Sequence, residues 1–238
     1  MSLKTVPLMG VLLAVFCSAP ANAAVLFSDD FSSGALDANR WTPQVDSGCS
    51  LSVGTDQVLH AYFTGANASR RSFALSSVVQ LPENWTSFTI TGDWAYVTKV
   101  YGEMVMQLWD ADDSNQYIQV AYKTYLGDAF RASYTGGGPY QTSRSVPTSL
   151  SDFEWTVTPT GWTFRELRGT TWTTLANYST THLADANAIQ FKIGGWEYSA
   201  TLLQRADYDN IEFDAVPEPL TAGLLAAGGA LLLRRRRK

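Results

Sequence analysis

Hydrophobic and polar positions alternate with period two along most of the chain. Phe88, Ile90, Gly92, Trp94 and Tyr96 share one side of a strand, with Thr89, Thr91 and Asp93 on the other. Met104, Met106 and Leu108 oppose Glu103, Val105, Gln107 and Trp109, and Ile118, Val120 and Tyr122 oppose Tyr117, Gln119, Ala121, Lys123 and Tyr125. The same spacing returns at Phe153, Trp155 and Val157, at Trp162, Phe164 and Glu166, at Ile189, Phe191 and Ile193, and at Ile211 and Phe213. Strands that bury one face against a core read this way. Helical spacing is scarce; one short helical turn is expected near Leu183 to Ala188. Many strands without helices predict an all-β, antiparallel β-sandwich of the jelly-roll kind.

The two ends break this pattern. Lys4, an apolar run from Val6 to Ala19 and the small residues Ala21 and Ala23 have the three parts of a secretory signal peptide, cut after Ala23 by signal peptidase. At the other end Val216, Pro217, Glu218 and Pro219 precede 14 apolar residues, Leu220 to Leu233, and the cations Arg234, Arg235, Arg236, Arg237 and Lys238. As a helix this run spans roughly 21 Å, short of a hydrocarbon core of roughly 30 Å. Terminal cations nevertheless suit a membrane stop. The chain therefore divides into residues 1–23, a sandwich domain at 24–215 and a tail at 216–238, the domain flanked by an N-terminal signal helix and a short C-terminal apolar helix.

The Pro-Glu-Pro triplet, the short apolar span and the final Arg cluster resemble the sorting signal of PEP-CTERM proteins of Gram-negative bacteria that make extracellular polysaccharide. The resemblance implies an exosortase as partner, transient passage through the inner membrane, and a destination at the cell surface or in a biofilm matrix. A plain C-terminal anchor is the alternative.

Charge and cysteine content narrow the function. The whole chain carries 17 Lys+Arg and 22 Asp+Glu. Residues 24–217 keep 11 and 21 of these, a net charge of −10, which argues against a nucleic-acid partner. Two His and two Cys exclude a zinc finger, a disulfide scaffold and a haem protein. Cys49 is alone in this segment and reads as a small buried hydrophobe.

Phe27-Ser28-Asp29-Asp30-Phe31, Leu36-Asp37 and Arg40-Trp41 resemble the opening of concanavalin A-like lectin/glucanase domains, and Tyr208-Asp209-Asn210-Ile211-Glu212-Phe213 resembles their closing strand. The resemblance implies that the first and last strands pair. It also offers a catalytic test, because glucanases of this fold carry Glu-x-Asp-x-Glu on one strand. Here Glu103 falls in the nucleophile position, Val105 replaces the Asp and Gln107 replaces the acid/base. An amide neither gives nor takes a proton at neutral pH, so no catalytic residue is assigned and the chain is not expected to be an enzyme. A glycoside hydrolase with atypical catalytic residues remains an alternative. His60 and His182 are read as structural.

The polar sides of the strands suggest binding instead. Glu103, Gln107, Trp109, Tyr117, Gln119, Lys123 and Trp196, with Tyr125, Gln190 and Lys192, mix aromatic rings with amide and charged groups. Rings cover the apolar face of a pyranose, and amides bond its hydroxyls. The predicted ligand is an exopolysaccharide; a solvated sheet face, as in a purely structural matrix protein, is the alternative. No cofactor is expected beyond a structural calcium. The resemblance places that calcium at Asp30 and Asp209, and Asp110 to Asn115 is either a second calcium loop or a simple turn.

Overall fold

The computed structural model describes residues 23–63, 70–98, 102–124, 127–197 and 203–217. Among them are sixteen strands, numbered in chain order, in two sheets. The first sheet runs β14 (Thr171–Ser179), β13 (Gly161–Arg168), β12 (Ser151–Thr158), β7 (Trp85–Thr98), β16 (Gln204–Pro217), β4 (Leu59–Phe63) and β3 (Ser50–Val53). The second runs β11 (Gly137–Ser143), β10 (Ala129–Tyr134), β9 (Tyr117–Lys123), β8 (Gly102–Asp110), β15 (Ala188–Glu197), β5 (Arg70–Ser76) and β2 (Trp41–Val45). The short β1 (Ala24–Asp29) pairs with β16, and β6 (Val79–Gln80) pairs with β15. The neighbouring strands pair antiparallel, so the architecture is the all-β sandwich that the alternation predicts.

Each apolar stripe faces the space between the sheets. Phe88, Ile90, Trp94, Tyr96, Trp155 and Phe164 from the first sheet meet Met104, Met106, Leu108, Val120, Tyr122 and Ile193 from the second in one buried cluster. Cys49 packs against its edge. The expected pairing of first and last strands is present, with Ala24 opposite Ala215 and Asp29 opposite Ile211. The segment near Leu183 forms a hydrogen-bonded turn at residues 182–185, not a helical turn. Leu183 and Ala186 are anchored in the core by that turn, which accounts for their apolar spacing.

Strand β5 reverses the usual pattern. Its core-facing residues are Ser72, Ala74 and Ser76, while Arg71, Phe73 and Leu75 point outward. Small side chains suit the inward positions, where Ser72 Oγ donates to the Ser50 carbonyl at 2.7 Å. The outward Phe73 begins a second, small apolar cluster with Val105 and Ala121, against which Trp196 packs. Residues 1–22, with Ala21, and Glu218, Pro219 and the terminal cations Arg234 to Lys238 lie outside the described residues; Ala23 is described and exposed, and Val216 and Pro217 belong to β16, opposite Ser87 and Trp85.

Candidate functional site

Pairing across β15, β8 and β9 assembles the outer face of the second sheet in rows. Gln190, Trp109 and Tyr117 form one row; Lys192, Gln107 and Gln119 form the next. Gly194, Val105 and Ala121 follow, and then Trp196, Glu103 and Lys123. From β10, Arg131 lies beside Ala121, and Ser133 lies beside Gln119. From β5, Phe73 lies beside Gly194 and Arg71 beside Trp196. The polar residues singled out on β8, β9 and β15 thus share one face, as period two on three neighbouring strands requires.

Their environments differ. Glu103 is fully buried, and Gln119 and Lys123 are only 6% and 7% exposed. They are not available as the exposed sugar contacts that the sequence suggested. Glu103 Oε1 accepts from Lys123 Nζ at 3.2 Å and from Arg131 Nη1 at 3.5 Å. A buried carboxylate demands such partners. Its Oε2 and the Nε of Arg131 are buried and have no hydrogen-bond partner among the described residues. Gln107, Trp109, Tyr117, Gln190, Lys192 and Trp196 are half-buried and present the accessible part of the face.

The accessible part is held from below and from the side. Trp109 Nε1 donates to Gln190 Oε1 at 3.3 Å, and Gln190 Nε2 donates to the Ser76 carbonyl at 3.2 Å. Lys192 Nζ stands 4.6 Å from the centroids of both Phe73 and Trp109. Burial, assisted by the nearby Arg71 charge, brings the Lys192 ammonium down to about 8. Sequence reasoning missed Phe73, because an apolar residue between Ser72 and Ala74 reads as a core position.

Asp30 Oδ1 accepts the Ser32 amide at 3.1 Å, and Asp209 is bonded to the backbone and side chain of Asn210. Among the described residues no group of three or more acidic, His or Cys side chains is close enough to hold a metal ion, although the charges of Asp30, Asp56 and Asp29 all act on Asp209. The nearby cleft, about 360 Å³, is lined by Ser28, Asp29, Asp30, Arg40, Asn210, Ile211 and Glu212. In the Asp110 to Asn115 segment, Asp110 and Asp113 accept the amides of Asp112 and Asn115 at 2.9 and 3.0 Å, the bonds of a turn.

Both histidines are bonded to neighbouring side chains. His60 Nδ1 is 2.8 Å from Asp207 Oδ1 and its Nε2 is 3.0 Å from Asp56 Oδ1, while Arg205 forks onto Asp207 with two 2.7 Å bonds. His182 Nδ1 meets Gln116 Oε1 at 2.8 Å. A further carboxylate is buried between the sheets. Glu166 accepts from Trp94 Nε1 at 2.9 Å, Tyr122 OH at 2.9 Å and Arg168 Nε at 2.6 Å.

No family model matches the chain, and no curated protein matches it. Solved structures do. The GlcNAcα1-4Gal-releasing endo-β-galactosidase from Clostridium perfringens aligns with a TM-score of 0.59 at 12% identity, over 86% of this chain and 65% of its own. The chain thus spans just under two thirds of that enzyme's length. Lectin II from Ulex europaeus aligns with a TM-score of 0.60 at 14% identity, over 83% of this chain and all of the lectin (100%). A lectin from Bauhinia forficata in complex with GalNAc aligns with a TM-score of 0.57 at 11% identity, over 82% and 99%. At such identities the likeness is one of fold, and that fold is the concanavalin A-like jelly-roll sandwich.

Proposed function

We propose that this chain is an exported, non-catalytic saccharide-binding protein, processed by signal peptidase and exosortase and delivered to the cell surface or extracellular matrix. The observation that carries the binding role is the half-buried group of Trp109, Tyr117, Gln107, Gln190 and Lys192 on one sheet face. It offers rings of fixed orientation beside amide donors and acceptors, the combination that recognises a pyranose. Neighbours of the same fold support a sugar ligand: two are named as lectins, one of them in complex with GalNAc, and another as an endo-β-galactosidase.

The non-catalytic assignment rests on Glu103. Hydrolysis with retention needs two carboxyl groups about 5–5.5 Å apart flanking the scissile bond. Glu103 is ion-paired to Lys123 and Arg131 and closed to solvent, and Gln107, the next polar position on its side of β8, is an amide. Export and sorting rest on the sequence of the two ends.

A glycan-array screen of the purified protein tests the binding role. Capture by at least one glycan, reduced tenfold or more by Trp109→Ala with the fold intact by circular dichroism, is the expected result. A folded protein that binds no glycan overturns it and leaves the purely structural reading. Release of reducing sugar from any bound glycan overturns the non-catalytic assignment.

A further inference from the structure

The outer face of the second sheet carries four cations, Arg71, Lys123, Arg131 and Lys192, on a domain whose net charge is −10. The carboxylates beside them are engaged. Asp46 Oδ2 takes Arg71 Nε at 3.2 Å, and Glu103 takes Lys123 and Arg131. Lys192 has no carboxylate within ion-pair distance among the described residues. Its ammonium is caged by the rings of Phe73 and Trp109, with Arg71 as its nearest influential charge.

A cage of two aromatic rings would pack as well around a methionine, without desolvating a charge. The rings recover part of that loss, yet the cation still lacks a counter-ion. It lies in the middle of the accessible group, directly opposite Gln107, and Gln107 lies opposite Gln119. An ammonium beside the accessible amide of Gln107 can receive a carboxylate attached to a hydroxyl-rich ring through a charge-assisted hydrogen bond. The domain's net charge of −10 repels anions at long range, so selectivity for one must come from a local group.

We propose that this face binds an acidic saccharide, a uronic-acid-containing chain whose carboxylate pairs with Lys192 while its hydroxyls reach Gln107 and Gln190 and its ring lies along Trp109. The inference rests on the saccharide-binding reading above and specifies the sugar class.

The test is isothermal titration calorimetry of the full chain, held in detergent, with hexameric oligouronates: galacturonate, mannuronate, guluronate and glucuronate. Each is paired with its carboxyl-reduced, neutral form, and a sulfated hexasaccharide completes the set. At least one oligouronate is expected to bind ten times or more tightly than its reduced form. Lys192→Met, which keeps the apolar stem in its cage, is expected to erase that preference. Equal affinity for charged and reduced forms, or a preference that survives Lys192→Met, overturns the uronate assignment and leaves saccharide binding standing. Tighter binding of the sulfated sugar replaces carboxylate by sulfate and also overturns it. A folded protein that binds none of these sugars, nor any glycan on the array, overturns both.

Discussion

Tyr208 and Gly194 belong to different sheets, and the Tyr208 hydroxyl crosses the core to donate to the Gly194 carbonyl at 2.7 Å, with the Val105 carbonyl 3.0 Å away. The fully buried phenol is pushed well above its ordinary range by desolvation, so it remains a neutral donor. Gly194 has φ +145°, and a Cβ there would lie 2.0 Å from the Ser72 carbonyl, so the β15 position that offers this carbonyl requires glycine. Tyr208→Phe keeps the ring and removes the donor that the buried Gly194 carbonyl shares with its neighbour at Val105. It should lower unfolding stability by about 1–3 kcal/mol, read as a shifted denaturant midpoint at unchanged slope.

Asp93 stands opposite both Asp152 and Asp209, on three adjacent strands of the first sheet. Burial first, and then the Asp152 carboxyl and the Asp209 charge, raise the Asp93 carboxyl; a bond from Asn210 opposes the shift. A carboxyl raised in the folded state contributes stability below the ordinary carboxylate range and loses it as pH climbs through the raised value. Asp93→Asn should therefore raise the melting temperature at pH 7 and bring no gain near pH 3. The site is half open to solvent, so the expected gain is a few tenths of a kcal/mol.

Lys192 titrates in the opposite sense. Its ammonium is depressed in the folded state, so its penalty is fully present below about 8 and fades as pH approaches the ordinary lysine value of 10.5. Lys192→Met should stabilise the protein at pH 7 by ~1–2 kcal/mol, with the gain shrinking toward pH 10.5 in thermal melts.

Glu166 is wholly buried and receives hydrogen bonds from Trp94, Tyr122 and Arg168. Arg168 also donates to the Tyr122 hydroxyl at 2.8 Å and the Ser145 carbonyl at 2.7 Å. Glu166→Leu fits the volume but strands an indole N–H and part of a guanidinium. It should destabilise by about 3–5 kcal/mol in chemical denaturation. Glu166→Gln retains an acceptor for Trp94 and should cost clearly less.

Alternation made most of the strands legible. Period two separates Trp162, Phe164 and Glu166 from their outward neighbours, and that same pattern placed Glu166 toward the core. Its partners were not legible, because Trp94 and Tyr122 come from strands of opposite sheets and local spacing carries no information about which strands face one another. Strand β5 was hidden for a different reason: its large residues point outward and its small ones inward, the reverse of a simple burial pattern. The candidate face was readable as a list of polar residues on three strands, since antiparallel pairing puts them together. Which of them solvent can reach depends on ion pairs such as Glu103 with Lys123 and Arg131, and these arise only when β8, β9 and β10 are side by side.

The position of β16 has a kinetic consequence. This last strand lies between β7 on one side and β4 and β1 on the other, so the first sheet stays split until residues 204–217 have been delivered. Almost every pairing it makes closes a loop of more than a hundred residues, the kind of contact that is slow to find. Arrival of residues 204–217 and completion of the first sheet would then be a single event.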